Sequence, residues 1–235
     1  MVIEWTLMPT YNTIMAMCAG AALCSIAYVG KNLFYKTNIN PEGWSLNFFV
    51  LGLILFLTGL HMSLTWPFAK YFPFDNVIFG EPSLGFGALL LVFSFYFWKR
   101  ANIIENSENP LQLVSKIGQS FKFIMFGFGL MLVFIGIAGV TYKLFAAPSE
   151  EPISGLFSNY PWFEAIFLST LFSLVGIVCF LMPFLFKTFE AEGKVPTSFQ
   201  KNIYCLLYLT GVILLLFGAM NYFTHIGLII HTMGS

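Results

Sequence analysis

Residues 123–142 read FIMFGFGLMLVFIGIAGVTY, a run without Asp, Glu, Lys or Arg. At a helical rise of 1.5 Å per residue, about 20 such residues cover the roughly 30 Å hydrocarbon core of a bilayer. Five further predominantly apolar segments of similar length occur in the chain, at approximately 11–30, 47–66, 80–98, 162–186 and 203–223. The sequence therefore predicts an all-α integral membrane bundle of about six transmembrane helices, forming one polytopic domain over residues 1–235.

The composition supports this assignment and excludes several classes of protein. Hydrophobic residues make up 58% of the chain and charged residues only 9%, whereas a soluble domain has roughly 25% charged residues. Lys and Arg together number 11, as do Asp and Glu, so the net charge does not indicate a nucleic-acid partner. The lipid bilayer is the expected surrounding, and the short loops leave no room for a soluble catalytic domain.

The basic residues predict how the chain is oriented in the membrane. Nine of the eleven fall in loops one, three and five: Lys31, Lys36, Lys99, Arg100, Lys116, Lys122, Lys187, Lys194 and Lys201. Only Lys70 and Lys143 fall on the other side. Because cytoplasmic loops carry an excess of Lys and Arg, both termini are predicted to lie outside the cytoplasm.

Three predicted helices that run outward carry glycines seven residues apart, which lie on nearly the same helix face. These glycines are Gly52 with Gly59, Gly129 with Gly136, and Gly211 with Gly218. Small residues let the backbones of membrane helices approach closely, so these faces are predicted helix contacts. The pattern also suggests three degenerate helix-pair repeats around an axis along the membrane normal.

The candidate site is a set of polar residues near the outer membrane boundary. His61 lies just inside the outer end of the second helix, and Glu81 at the outer start of the third. His225 continues the glycine face of the sixth helix and is predicted to point into the bundle, whereas His231 is predicted to lie beyond that helix. Imidazoles from separate helices hold haem in bundles, and histidine with carboxylate suits several transition metals.

We therefore predict a site in which His61 and His225 hold a haem or a metal ion such as copper, with Glu81 as a further metal ligand. A structural explanation is also available for each residue. A carboxylate at a helix N-terminus is favoured by the helix dipole, which accounts for Glu164 and for Glu81. A histidine in a membrane helix also serves to hydrogen-bond a neighbouring helix.

Two motifs carry a resemblance to a known family: GLHMSLTWP (Gly59–Pro67) and FGEP (Phe79–Pro82). The chain resembles the membrane-protein family known as domain of unknown function 981, from Tyr11 through the sixth helix. The resemblance implies a single polytopic domain in the cytoplasmic (inner) membrane of a bacterium or archaeon. It implies no activity and no catalytic residue, and it is poorer around AAPSEEPISGLFSNYP in the second outer loop.

Three functions remain open at this point. The first is an accessory, non-catalytic subunit of a membrane complex, with partner subunits or further copies of the chain, holding haem or a metal near its outer face. The second is a channel or carrier for a small neutral solute, which requires a polar path through the bundle. The mid-span hydroxyls available for such a path are Thr58, Ser94, Ser169, Thr170, Ser173 and Thr210. The third is an outer-leaflet lipid or quinone enzyme that uses His61 and Glu81 as base and acid.

Overall fold

A computed structural model describes residues 10–65, 73–189 and 195–233, and that part of the chain is helical without any strand. The helices, in chain order, are α1 (Tyr11–Tyr35), α2 (Pro41–Thr65), α3 (Glu81–Lys99), α4 (Ala101–Glu105), α5 (Pro110–Gln119), α6 (Lys122–Tyr142), α7 (Pro161–Thr188) and α8 (Ser198–Thr232). A π-helical turn, Asn76–Gly80, leads directly into α3. Among the described residues, six helices are long and apolar enough to span a membrane. The predicted all-α multi-pass architecture is confirmed.

Several helices extend beyond the apolar segments from which they were predicted. Helix α8 is the clearest case, because it runs from Ser198 to Thr232 where the sequence predicted 203–223. It begins with a capping box in which Thr197 Oγ1 accepts from the backbone N–H of Gln200 at 3.3 Å, and such caps satisfy donors that a helix start leaves free. The prediction that His231 lies beyond the helix is wrong, since hydrogen bonding along the backbone continues after the apolar run ends.

The two ends of the bundle differ in charge. We call the inner end the one at which α1, α3 and α7 finish and α2, α6 and α8 begin; of the nine basic residues that the structure describes, eight lie there. The opposite end is called the outer end. These names follow the orientation that the positive-inside rule predicts.

The long helices pack most closely as three antiparallel pairs, α2 with α3, α6 with α7, and α1 with α8. The glycines explain these pairs. A Cβ added at Gly59 would overlap the backbone of Leu84 in α3, and one at Gly218 would lie 2.9 Å from Cα of Met17 in α1. One at Gly129 would lie 2.8 Å from the carbonyl oxygen of Gly176 in α7. The predicted glycine contacts are confirmed. The pair α1 with α8 joins the first and the last helix of the chain.

Contacts between the three pairs are much sparser than contacts within them. The buried apolar side chains accordingly form two clusters. One lies among α1, α2 and α3, and includes Leu55 and Leu90; the other lies among α1, α7 and α8, and includes Val178 and Leu207. This separation leaves room near the middle of the bundle.

Candidate functional site

The structure places the three predicted site residues in different surroundings. His61 is exposed, and its ring meets the ring of Tyr11 edge-on at a centroid distance of 5.5 Å. Glu81 is exposed in the first turn of α3. His225 is buried, as predicted, and its Nε2 lies 3.7 Å from Oε1 of Glu151. The structure thus brings His225 to a loop carboxylate that the sequence did not identify.

The arrangement of the potential metal ligands is the feature that bears on the predicted haem or metal site. In the part of the chain that the structure describes, no group of three or more His, Cys, Asp or Glu is placed to hold a metal ion. The haem or metal site of His61, Glu81 and His225 therefore stays a prediction.

The outer loop between α6 and α7 folds over the ends of α7 and α8. In addition to the contact with His225, the Glu151 carboxylate is hydrogen-bonded by the Thr224 hydroxyl. Glu164 accepts from the backbone N–H of Ala147 at 2.6 Å, and His231 Nδ1 lies 2.7 Å from the carbonyl oxygen of Glu150. These contacts attach the loop to both helices.

Burial raises the pKa of Glu151 to about 7, and the Thr224 hydrogen bond and the charge of Glu164 act on it in opposite directions. A carboxylate that is only 10% exposed pays a desolvation cost when it ionises. Sequence reasoning left Glu151 out because it lies in a loop and not on a helix. The available signal was the pair of adjacent carboxylates, Glu150 and Glu151, in the outer loop between α6 and α7.

The turn before α3 is also tied to the neighbouring helix. Asn76 is buried, and its Nδ2 donates to the carbonyl oxygen of Met62 at 3.1 Å and lies 3.3 Å from Oγ1 of Thr65. The same π-helical turn holds Phe79, which lines the cavity in the middle of the bundle. Single π-helical turns often occur at functional positions.

A cavity of about 450 Å³ occupies the space between the three helix pairs. Its lining comes from α1, α3, α5, α6, α7 and α8, and Phe48 is the single contribution of α2. Most of the lining is aliphatic or phenylalanine. On α1 the lining residues run from Met15 to Tyr35, a separation of twenty residues or about 30 Å. The cavity therefore extends through most of the bilayer core.

Three phenylalanines lie together near the outer end of this cavity, and two of them, Phe79 and Phe172, line it. The rings of Phe145 and Phe172 are stacked at 5.6 Å, and Phe79 lies 6.2 Å from the first and 5.8 Å from the second. Aromatic rings at these distances attract one another beyond the burial of their area. The outer loop supplies Phe145, so the loop contacts both of these lining residues.

The inner end of the cavity has a different character. Three of the described lining residues are exposed, namely Lys31, Tyr35 and Lys201, and all three lie at this end. Ser115 of α5 and Gln200 of α8 line the cavity at the same level. We call this set the inner mouth.

The sequence did not predict the cavity. The hydroxyls that it suggested for a polar path, Thr58, Ser94, Ser169, Thr170, Ser173 and Thr210, are not among the described residues that line it. Some of them form hydrogen bonds within or between helices instead. Thr58 Oγ1 donates to the carbonyl oxygen of Ile54 at 2.7 Å, and Ser94 Oγ donates to that of Ser45 at 2.8 Å.

Comparison with known proteins identifies a family. Residues 8–227 match the family described as protein of unknown function (DUF981). The match covers nearly the whole chain, so the chain belongs to this family, and the resemblance of its two motifs is confirmed. No curated protein matches the chain. No solved structure matches it either.

Proposed function

We propose that this member of the family is a lipid-binding protein of a bacterial or archaeal cytoplasmic membrane, which holds one chain-like apolar molecule in its central cavity. The observation that carries the proposal is the cavity itself. It lies inside the bundle, extends for about 30 Å along α1 and is lined mostly by hydrocarbon.

The dimensions suit a lipid chain. Ligand pockets commonly have volumes of roughly 300–1,000 Å³ and mostly apolar walls, and 450 Å³ falls within that range. Spread over about 30 Å, this volume corresponds to a mean cross-section of about 15 Å². Such a space is long and narrow, and suits a linear chain of methylene groups better than a broad planar ring system.

The wall chemistry favours this function over a channel for a neutral polar solute. A polar solute that crosses the bundle needs hydrogen-bonding groups along its path, since an unpaired polar group in hydrocarbon costs several kcal/mol, roughly 2–7 by transfer measurements. Between Ser83 near the outer end and the inner mouth, the described lining offers Tyr204 and Cys179 as its polar side chains.

A metal or haem site at the outer end is a second candidate, and the buried pair His225–Glu151 is the observation in its favour. An accessory subunit of a larger complex could carry such a site. Iron or copper near one atom per purified chain, lost in His225→Ala or His61→Ala, would support it. Metal at background level in protein purified from its native membrane would contradict this candidate. The histidines would then have only a structural role, through the contacts of His225 with Glu151 and of His61 with Tyr11.

Photolabelling tests the proposal directly. The protein, in a mild non-ionic detergent, is irradiated with a palmitic acid that carries a diazirine in mid-chain, and labelled peptides are identified by mass spectrometry. We expect saturable labelling of cavity-lining positions on α1, α3 and α7. Unlabelled palmitic acid added in excess should remove that labelling.

Two alanines of α1 give a matched pair of variants. Ala19 lines the cavity, whereas Ala22 is fully buried and does not line it. Ala19→Leu should lower the specific labelling about tenfold, because the added side chain occupies the cavity; Ala22→Leu, if folded, should leave it unchanged. Labelling confined to lipid-facing positions, equal in all three proteins and not saturable, would contradict the proposal.

A further inference from the structure

We infer that the bound lipid carries a single anionic headgroup, held at the inner mouth by Lys31 and Lys201 with Ser115, while its hydrocarbon chain extends toward the phenylalanines at the outer end. This inference rests on the proposed function, since it assigns the chemistry and the direction of the same ligand. The observation that carries it is the uneven distribution of polar groups along the cavity.

The polar lining is concentrated at one end. Six of the described lining residues with a polar side chain lie at the inner end: Lys31, Tyr35, Ser115, Gln200, Lys201 and Tyr204. The outer end has Ser83 with Phe79 and Phe172. A molecule with one polar end and one apolar end therefore fits in one direction only.

Ser115 has an unused hydrogen-bonding group at this level. It is 1% exposed, it lines the cavity, and its Oγ has no hydrogen-bond partner among the described residues. A serine in a helix often donates to the carbonyl four residues earlier, but Ser115 does not. A buried hydroxyl without a partner costs about 1–3 kcal/mol, and a headgroup oxygen at the mouth would supply the acceptor.

The charge at the mouth is positive. Lys31 and Lys201 come from different helices of the same pair, and no Asp or Glu is found among the described residues that line the cavity. The first turn of α8, which contains Gln200 and Lys201, adds the positive end of a helix dipole. Basic pockets between membrane helices on the cytoplasmic side are typical binding places for anionic headgroups.

Other lysines of the inner end provide a control. Lys116 on α5 and Lys187 on α7 are exposed at the same membrane face and do not line the cavity. If all lysines of the inner end served only as general interfacial anchors, substitution of either pair would have the same effect on lipid binding. The inference requires that substitution of Lys31 and Lys201 has the larger effect.

The experiment compares ligands of equal chain length and different headgroup. Oleate, oleyl alcohol and oleoyl lysophosphatidate are titrated onto the purified full-length protein in a non-ionic detergent, and bound molecules are counted by native mass spectrometry. The proteins are the wild type, Lys31→Gln/Lys201→Gln, Lys116→Gln/Lys187→Gln and Ser115→Ala.

We expect the wild type to bind oleate at least about tenfold more tightly than oleyl alcohol, given roughly 1 kcal/mol for each lysine near an anionic headgroup. Lys31→Gln/Lys201→Gln should remove most of that preference and leave the affinity for oleyl alcohol unchanged. Lys116→Gln/Lys187→Gln should keep it. Ser115→Ala should weaken the binding of oleate about threefold to tenfold and should raise the unfolding midpoint of the unliganded protein, because the variant lacks the unpartnered hydroxyl.

The outcomes separate the inference from the proposed function. Oleate and oleyl alcohol bound with equal affinity, or a preference that both double variants reduce equally, would overturn the inference while lipid binding stands. Failure of all three ligands to bind would overturn both. The phosphate and carboxylate ligands both support an anionic headgroup, and their relative affinities identify which of the two the mouth prefers.

Discussion

The same helices pack tightly within each helix pair and loosely between the pairs. Within a pair, glycine lets the backbones approach until a single added carbon would overlap the next helix, as at Gly59 against Leu84. Between pairs, the same helices leave a cavity of about 450 Å³ lined by large side chains. The membrane helices are thus packed tightly in one direction and loosely in another.

This difference shows how a bundle without membrane-buried charges can hold a ligand. Lipid does not drive apolar helices together, so close backbone contact and van der Waals packing have to supply the stability. When three pairs obtain that stability separately, the space where they meet does not have to be filled. A lipid chain can occupy it at little cost to the fold.

The largest effect is expected where a pair is forced apart. Gly59→Ala should destabilise the protein by about 3 kcal/mol or more, at the upper end of overpacking effects, because the new Cβ would overlap backbone atoms that cannot move independently. Gly127→Ala is the control, since no atom lies within 4 Å of its added Cβ, and should be neutral or slightly stabilising. Unfolding by dodecyl sulphate in mixed micelles, followed by circular dichroism, gives the comparison. Equal midpoints for the two variants would mean that close packing does not set the stability of the pairs.

A smaller effect on stability should distinguish two alanines of α1, one packed against other atoms and one facing the cavity. Ala22→Leu enlarges a fully buried side chain outside the cavity and should cost about 1–3 kcal/mol. Ala19→Leu adds the same atoms into the cavity and should change the stability by less than about 1 kcal/mol. The same unfolding assay measures both, and a larger loss at Ala19 than at Ala22 would show that the cavity is smaller in solution than in the structure.

The smallest expected effect on stability concerns Glu151 in the outer loop between α6 and α7. The pKa of Glu151 rises on folding from 4.5 to about 7, so its neutral form fits the folded state better. This contribution to stability is present below pH 4.5 and is lost as the pH rises through 7. Glu151→Gln should therefore match the wild type near pH 4.5 and become more stable by about 1–2 kcal/mol near pH 8.

Thermal unfolding of both proteins across this pH range measures the difference. His225 and Glu164 also face Glu151, but they are present in both proteins and largely cancel in the comparison. A variant that is less stable than the wild type near pH 8 would show that the hydrogen bonds accepted by ionised Glu151 outweigh the cost of its burial.

Much of the fold could be predicted from local properties of the sequence. The six spans follow from the length of the apolar runs, and the glycine faces follow from their seven-residue spacing. The candidate site was harder to predict. Burial of His225 followed from its register with Gly218, but its partner Glu151 is 74 positions away in a loop, and no periodicity connects the two.

The sequence by itself thus determined that the chain is a membrane bundle, how many times it spans and which helix faces are smooth enough to pack closely. Those properties depend on composition and on spacing along single helices. Only the tertiary structure decided that α1 pairs with α8, that a cavity remains between the pairs, and that Lys31, Ser115 and Lys201 meet at one end of it. The physical reason is that pairing and voids depend on the relative placement of helices, which no single helix specifies.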